Sequence, residues 1–187
     1  MRSSALLLAA AALFSSVAAA ATPAQIVLIR HGEKPDDGPE LNERGWQRAR
    51  ALVSFFLTDA TMAQFGKPAA IFAMAPKGED GSVRAVQTVT PLADKLGLQV
   101  RASLTKNKIQ PLVRAVLDDP AFTGKTVVIC WEHKVIPSIA QAFGAQSAPN
   151  RWPGDAYDRA WVLRFAGDQV LSFQDLPEHL LPGDSDD

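Results

Sequence analysis

Cysteine is almost missing from this chain: among 187 residues only position 130 carries one. A lone thiol excludes an intramolecular disulfide in any redox compartment. A cysteine-nucleophile phosphate loop would need an arginine six residues later, and position 136 is Ile. The neighbours Val127, Val128, Ile129 and Trp131 instead describe a buried, unreactive thiol. Histidine is scarce too, and three scattered histidines with one cysteine do not make a metal set. No G-x-x-x-x-G-K-S/T segment is present, so a nucleotide P-loop is excluded. Neither sign of charge prevails, with 19 Lys and Arg against 20 Asp and Glu for a net charge of -1. No broad basic field therefore advertises nucleic acid or an anionic membrane as partner. Any bound anion must be gripped by a few placed cations.

Beyond the first residues no apolar run approaches the ~18 residues of a membrane span. The first residues themselves read as a leader. Met1 and Arg2 give a short positive start, Ala5 to Ala20 is apolar apart from Ser15 and Ser16, and small residues continue to Thr22. That pattern predicts a cleavable signal peptide over residues 1–21, and so an exported protein, periplasmic or secreted, without membrane attachment after cleavage. The chain as a whole is 47% hydrophobic and 21% charged, which argues for a folded protein rather than a disordered one. Its length predicts one domain over 22–181, followed by an acidic, frayed tail at 182–187.

Within the domain, short apolar runs alternate with helical patterns, as in α/β folds. QIVLIR (25–30), AAIFAMA (69–75) and TVVICW (126–131) read as buried strands. Asn42 is the expected N-cap of a helix burying Ala49, Leu52 and Phe56, and Ser82 that of a helix burying Val86, Val89 and Leu96 up to Gly97. Pro91 falls inside this second helix. Residues 106–118 suggest a weaker amphipathic helix, and a further helix carries Ile136, Ile139 and Phe143 inward. Residues 161–165 and 170–173 form an expected closing hairpin around Gly167 and Asp168.

Three segments place cations after a strand or at a helix start: Arg30-His31-Gly32, Arg84, and His133. In an open α/β sheet, ligands sit beyond the carboxyl ends of the strands, so these residues are expected to converge there. Two arginines and a second imidazole around one histidine suit a tetrahedral oxyanion, because guanidinium forks match its oxygens. Gly32 is expected to let backbone N–H groups approach that ligand, and the helix starting near Ser82 to add a favourable dipole.

IRHGEKP, then LNERGWQRA, then SVRAVQTVTPLA, then a strand ending before His133 resemble the histidine phosphatase superfamily, which includes the phosphoglycerate mutases. The segments occur in the family's order and span nearly the whole mature chain, whose short length is similar to that of bacterial phosphohistidine phosphatases. The resemblance implies a three-layer α/β/α sandwich with a central, mostly parallel sheet. It further implies hydrolysis of a small phosphorylated substrate, a phosphomonoester or phosphoramidate, without metal or other cofactor. His31 becomes the nucleophile that forms a phosphohistidine, and Arg30, Arg84 and His133 the phosphoryl-binding set.

Two departures stand out. Many relatives have Gly-His where this chain has Glu132-His133, and residues 101–114 lack the acidic proton donor that the mutases carry between the second arginine and the last histidine. Glu132 and Glu33 are the candidate leaving-group acids, Glu132 slightly ahead. A binding module that keeps the pocket without a working acid is the alternative function, and a phosphomutase a weaker one, since little chain is available for a lid. His179 is assigned no role. Lys34 and Lys134 are read as solvated. Trp152 and Tyr157 either line a pocket or pack the last strands.

Overall fold

The computed structural model describes residues 22–185, so the expected leader lies outside the described residues. The elements, in chain order, are β1 (Gln25–Arg30), α1 (Glu43–Thr58), β2 (Ala70–Ala73), α2 (Arg84–Leu96), β3 (Val100–Arg101), α3 (Ile109–Leu117), β4 (Thr126–Trp131), α4 (Ile136–Ala142), β5 (Arg159–Ala166) and β6 (Gln169–Pro177), with a short 3-10 turn at Pro120–Phe122. One six-stranded sheet runs β3-β2-β4-β1-β5-β6. Its β1–β4, β2–β4 and β2–β3 pairings are parallel, whereas β5 and β6 add an antiparallel hairpin at the other edge.

This order places the layers. Crossovers between parallel strands are right-handed, so α1 and α2, which lead the chain in the same direction across the sheet, share a face. The return from β3 to β4 reverses that direction and puts α3 on the opposite face. The packing agrees: α1 lies against α2, and α3 against α4. β1 and β4 are fully buried, as expected of central strands covered on both sides. The mostly parallel α/β sheet anticipated from the sequence is present.

Local chemistry explains the element ends. Asn42 Oδ1 accepts from the Gly45 N–H at 2.9 Å and caps α1. Gly97 closes α2 in the left-handed region at φ 66°. Ser82 is not the cap expected of it: α2 starts at Arg84 with Val83 at the N-cap, and the Ser82 hydroxyl accepts from Arg84 Nη1 at 3.3 Å. β3 had no signature in the sequence, because two residues at a sheet edge are too few to set a period.

The expected frayed tail is corrected for its described part. Asp184 is pinned by Arg48 at 2.7 Å and by Arg44 at 3.1 Å, and the Ser185 N–H donates to Asp158 at 2.6 Å. Residues 178–185 thus close against α1 rather than extending into solvent.

Gly32 and Gly45 bring the turn after β1 against the start of α1. A Cβ on Gly45 would lie 2.3 Å from the Glu33 carbonyl oxygen, a contact no backbone relaxes cheaply. Gly45→Ala is therefore expected to destabilise the fold by roughly 2 kcal/mol or more, read as a lower urea midpoint; an unchanged midpoint would contradict this packing.

Candidate active site

Arg30 and Trp131 are register partners at the ends of β1 and β4, and the His31 N–H donates to the Trp131 carbonyl at 3.2 Å. Two chain segments a hundred residues apart therefore leave the sheet side by side. The chain turns to one face after β1 and to the other after β4, so a crevice opens between them. His31 and His133 stand at its two walls, and the His31 imidazole feels the charges of Arg30, Arg84 and His133. His31 thus lies within electrostatic reach of the other three, and His133 within reach of Arg30.

His31 is 5% exposed. Its Nδ1 lies 2.8 Å from the Gly32 carbonyl oxygen, which can only accept, so Nδ1 carries the proton and Nε2 keeps its lone pair. Burial pulls the His31 pKa down to about 4, helped by Arg30, Arg84 and His133 and opposed by the Gly32 bond. The sequence pointed to the cations as the cause; burial is the larger one. The imidazole is neutral across the physiological range.

Arg30 is nearly buried and shaped by the loop before β5. Nη1 donates to the carbonyls of Gly154 and Ala156 at 2.8 and 3.0 Å, and the guanidinium lies 3.6 Å from the Tyr157 ring centre. Tyr157 also tilts against His31, with ring centres 6.1 Å apart. Tyr157 is thereby a site residue, whereas Trp152 stacks on Trp161 and donates to the Ala156 carbonyl at 2.9 Å, supporting the same loop from behind. Arg84 is held by the carbonyls of Gly38 and Glu40, the latter at 3.0 Å. Arg30 Nε is buried and makes no hydrogen bond among the described residues, and buried His133 Nδ1 makes none either, with the Glu132 carboxylate 3.4 Å away. Burial, then Arg30, lowers the His133 pKa, against the pull of Glu132.

The N–H of Gly32 itself is already engaged. That group donates to Thr88 Oγ1 at 2.8 Å, and the Thr88 hydroxyl donates to the Arg84 carbonyl at 2.7 Å, tying the histidine turn to α2. Gln87 accepts from the Leu41 N–H at 2.8 Å, so both polar residues of the Q-T pair serve as braces.

The two candidate acids part company. Both oxygens of Glu33 are taken by Arg48, at 2.7 to 3.2 Å, and Oε1 also by Arg44 at 3.1 Å. Glu132 lies at the crevice, 2.9 Å from Lys106 Nζ and 3.4 Å from His133 Nδ1. Behind Glu33 sits a buried cluster that no local pattern of residues announces. Arg48, 2% exposed at its side chain, also bonds Glu178 at 3.1 Å and Asp184 at 2.7 Å. Burial pushes the Asp184 carboxyl up, but the bonds from Arg48 and from the Leu181 and Leu180 N–H groups outweigh it and leave it at about 2. Burial pushes Glu178 up to about 8, against the pull of Arg48.

No group of three or more His, Cys, Asp or Glu among the described residues is arranged to hold a metal ion.

Two predictions follow from these environments. Arg48→Leu strands buried carboxylates and is expected to cost about 3–5 kcal/mol in chemical denaturation, with faster proteolysis near residues 178–185. A loss below 1 kcal/mol would show the cluster to be dispensable. Second, the unfolded chain takes a proton on His31 near pH 6.5 while the fold resists until about 4. Stability from this group is complete above pH 6.5 and is lost as pH falls toward 4, by roughly 3 kcal/mol. His31→Asn should flatten that part of the stability–pH curve; an unchanged slope would place the histidine in a solvated environment.

No protein-family model matches the chain, and no curated protein sequence does. Solved structures do. The protein histidine phosphatase SixA, determined with tungstate, superposes with a TM-score of 0.60 at 12% identity, covering 82% of this chain and 97% of that one. The SixA protein of Agrobacterium tumefaciens gives 0.52 at 14%, covering 81% and 97%. A phosphoglycerate mutase from Plasmodium falciparum gives 0.51 at 14%, covering 86% and 95%. At such identities the likeness is one of architecture, and by it this chain has the fold shared by SixA and phosphoglycerate mutase.

Proposed function

We propose that the chain is a member of the histidine phosphatase superfamily and hydrolyses a small phosphorylated substrate through a phosphohistidine on His31. One observation carries this reading: a buried, neutral imidazole whose Nδ1 is committed to the Gly32 carbonyl, leaving Nε2 as a nucleophile among Arg30, Arg84 and His133. The Nε2 lone pair forms an N–P bond while the bond from phosphorus to the leaving oxygen (or nitrogen) breaks, and the leaving atom takes up a proton. Water then attacks phosphorus, the N–P electron pair returns to Nε2, and the water's proton passes to a base. The guanidiniums hold the oxygens in line and balance the transferring charge, the role a metal ion fills elsewhere, so the reaction is read as metal-independent.

Glu132 is the proposed proton carrier, because the oxygens of Glu33 are spent on Arg44 and Arg48. Its ion pair with Lys106 favours the other reading, a phospholigand-binding module without turnover. Export completes the proposal and rests on the pattern of residues 1–21 alone. An extracytoplasmic site disfavours a cytoplasmic phosphotransfer protein as substrate and favours phosphate esters met outside the cytoplasm.

The test is hydrolysis of an aryl phosphate by the leaderless protein with chelator present. Turnover is expected, with an acid-labile phosphoenzyme, and His31→Ala should lower kcat by at least about a thousandfold. Undiminished turnover in that variant would remove His31 as nucleophile, and tight phosphate binding without turnover in the parent protein would establish the binding module.

A further inference from the structure

The phosphatase reading gives Tyr157 no part, although its ring adjoins both the nucleophile and a phosphoryl-binding cation. The side chain is half-buried. Its ring centre lies 3.6 Å from the Arg30 guanidinium carbon and 6.1 Å from the centre of the His31 imidazole, with the two rings inclined by 60°. The contact with Arg30 is a cation over an aromatic face, the side on which the ring quadrupole attracts positive charge.

The donors of Arg30 are already divided between the fold and the crevice. A guanidinium carries five N–H groups in one plane, which form an end-on fork across Nη1 and Nη2 and a side-on fork across Nε and Nη2. Nη1 donates to the carbonyls of Gly154 and Ala156, which uses both its hydrogens and closes the end-on fork. Nε and Nη2 make no hydrogen bond among the described residues, and Nε is buried besides. The side-on fork is therefore the pair left for two phosphoryl oxygens.

The loop that carries Tyr157 is held on both sides of it. The Ala156 carbonyl also accepts the Trp152 indole N–H, so both its lone pairs are engaged. Asp158 is buried, and its Oδ2 accepts the Ser185 N–H at 2.6 Å and the Ser185 hydroxyl at 2.9 Å. Its carbonyl accepts the Glu178 N–H at 2.7 Å. The ring thus stands on an anchored stretch of backbone.

Resting on the phosphatase reading, we propose that Tyr157 is a positioning residue whose ring sets the plane of the Arg30 guanidinium, so that the side-on fork meets the transferring phosphoryl group. The ring acts through Arg30 and takes no part in bond making or proton transfer. A ground-state phosphate accepts donors from several directions, whereas the transferring group holds its oxygens in one plane and needs donors at fixed angles. Loss of the ring therefore falls on kcat more than on KM.

An aryl phosphate and two variants test this in the leaderless protein. Tyr157→Leu keeps apolar bulk but removes the aromatic face, and is expected to lower kcat about tenfold with KM within about twofold of the parent. Tyr157→Phe keeps the face and should recover most of that loss. In an Arg30→Lys background, where a point charge has no fork to orient, the same Tyr157→Leu change should cost about twofold or less. An equal loss in both backgrounds, a phenylalanine variant as poor as the leucine one, a loss confined to KM, or no loss at all overturns the positioning role and leaves the phosphatase intact. If the parent turns over no phosphate ester, the phosphatase reading fails by itself, and calorimetric titration with vanadate decides the role of the ring. Tyr157→Leu should then weaken vanadate binding about tenfold beside Arg30 and about twofold or less in the Arg30→Lys background. Equal weakening in the two, no weakening, or a parent that binds no vanadate overturns it.

Discussion

Two parallel strands that end level with one another create the site. Because β1 and β4 pair in register from Gln25 and Thr126 to Arg30 and Trp131, the residues that follow them must emerge as neighbours. Their crossovers then depart to opposite faces, and the gap between them is open to solvent at the carboxyl ends. Every other contribution builds on this adjacency: α2 brings Arg84 from one side, and the loop before β5 folds Tyr157 over Arg30 from the other. A slip of one residue between β1 and β4 would turn the side chains of both buried strands to the wrong faces and part the histidines.

Gathering cations around a buried imidazole is costly, and the fold offsets the cost by spending most of their donors. Arg30 is braced by two backbone carbonyls and a tyrosine ring, Arg84 by two carbonyls and a serine. Glu33, one residue beyond Gly32, anchors the histidine turn to Arg48 and through it to Asp184 near the chain's end. The His31 turn is thus held from both ends of the domain. Burial first, and the gathered like charges after it, keep the His31 imidazole unprotonated.

What could be read from sequence was what local patterns encode. The runs QIVLIR and TVVICW fixed the central strands because covered strands must be apolar throughout, and Asn42 announced α1 because a cap needs only its own next turn. Arg30, His31, Arg84 and His133 could be singled out because each lies in a segment whose spacing carries its own signature. Failures came where the deciding partner is far along the chain. Glu33 and Glu132 look alike in sequence, and their partners separate them: Arg44 and Arg48 take Glu33, whereas Lys106 takes Glu132. Asp184 looked like frayed tail because its guanidinium partner lies 136 residues earlier. Tyr157 could not be told from a packing residue until Arg30 was seen beneath it. That the Gly32 N–H is held by Thr88, fifty-six residues on, could not be read from its own segment.

The central claim is that one cup holds a tetrahedral anion against the Nε2 face of His31. A crystal structure of the leaderless protein with vanadate or tungstate tests it directly. The account predicts the oxyanion between His31 Nε2 and the Arg30, Arg84 and His133 side chains, with Nδ1 still on the Gly32 carbonyl. An anion bound elsewhere, or one facing Nδ1 of a flipped ring, would contradict it.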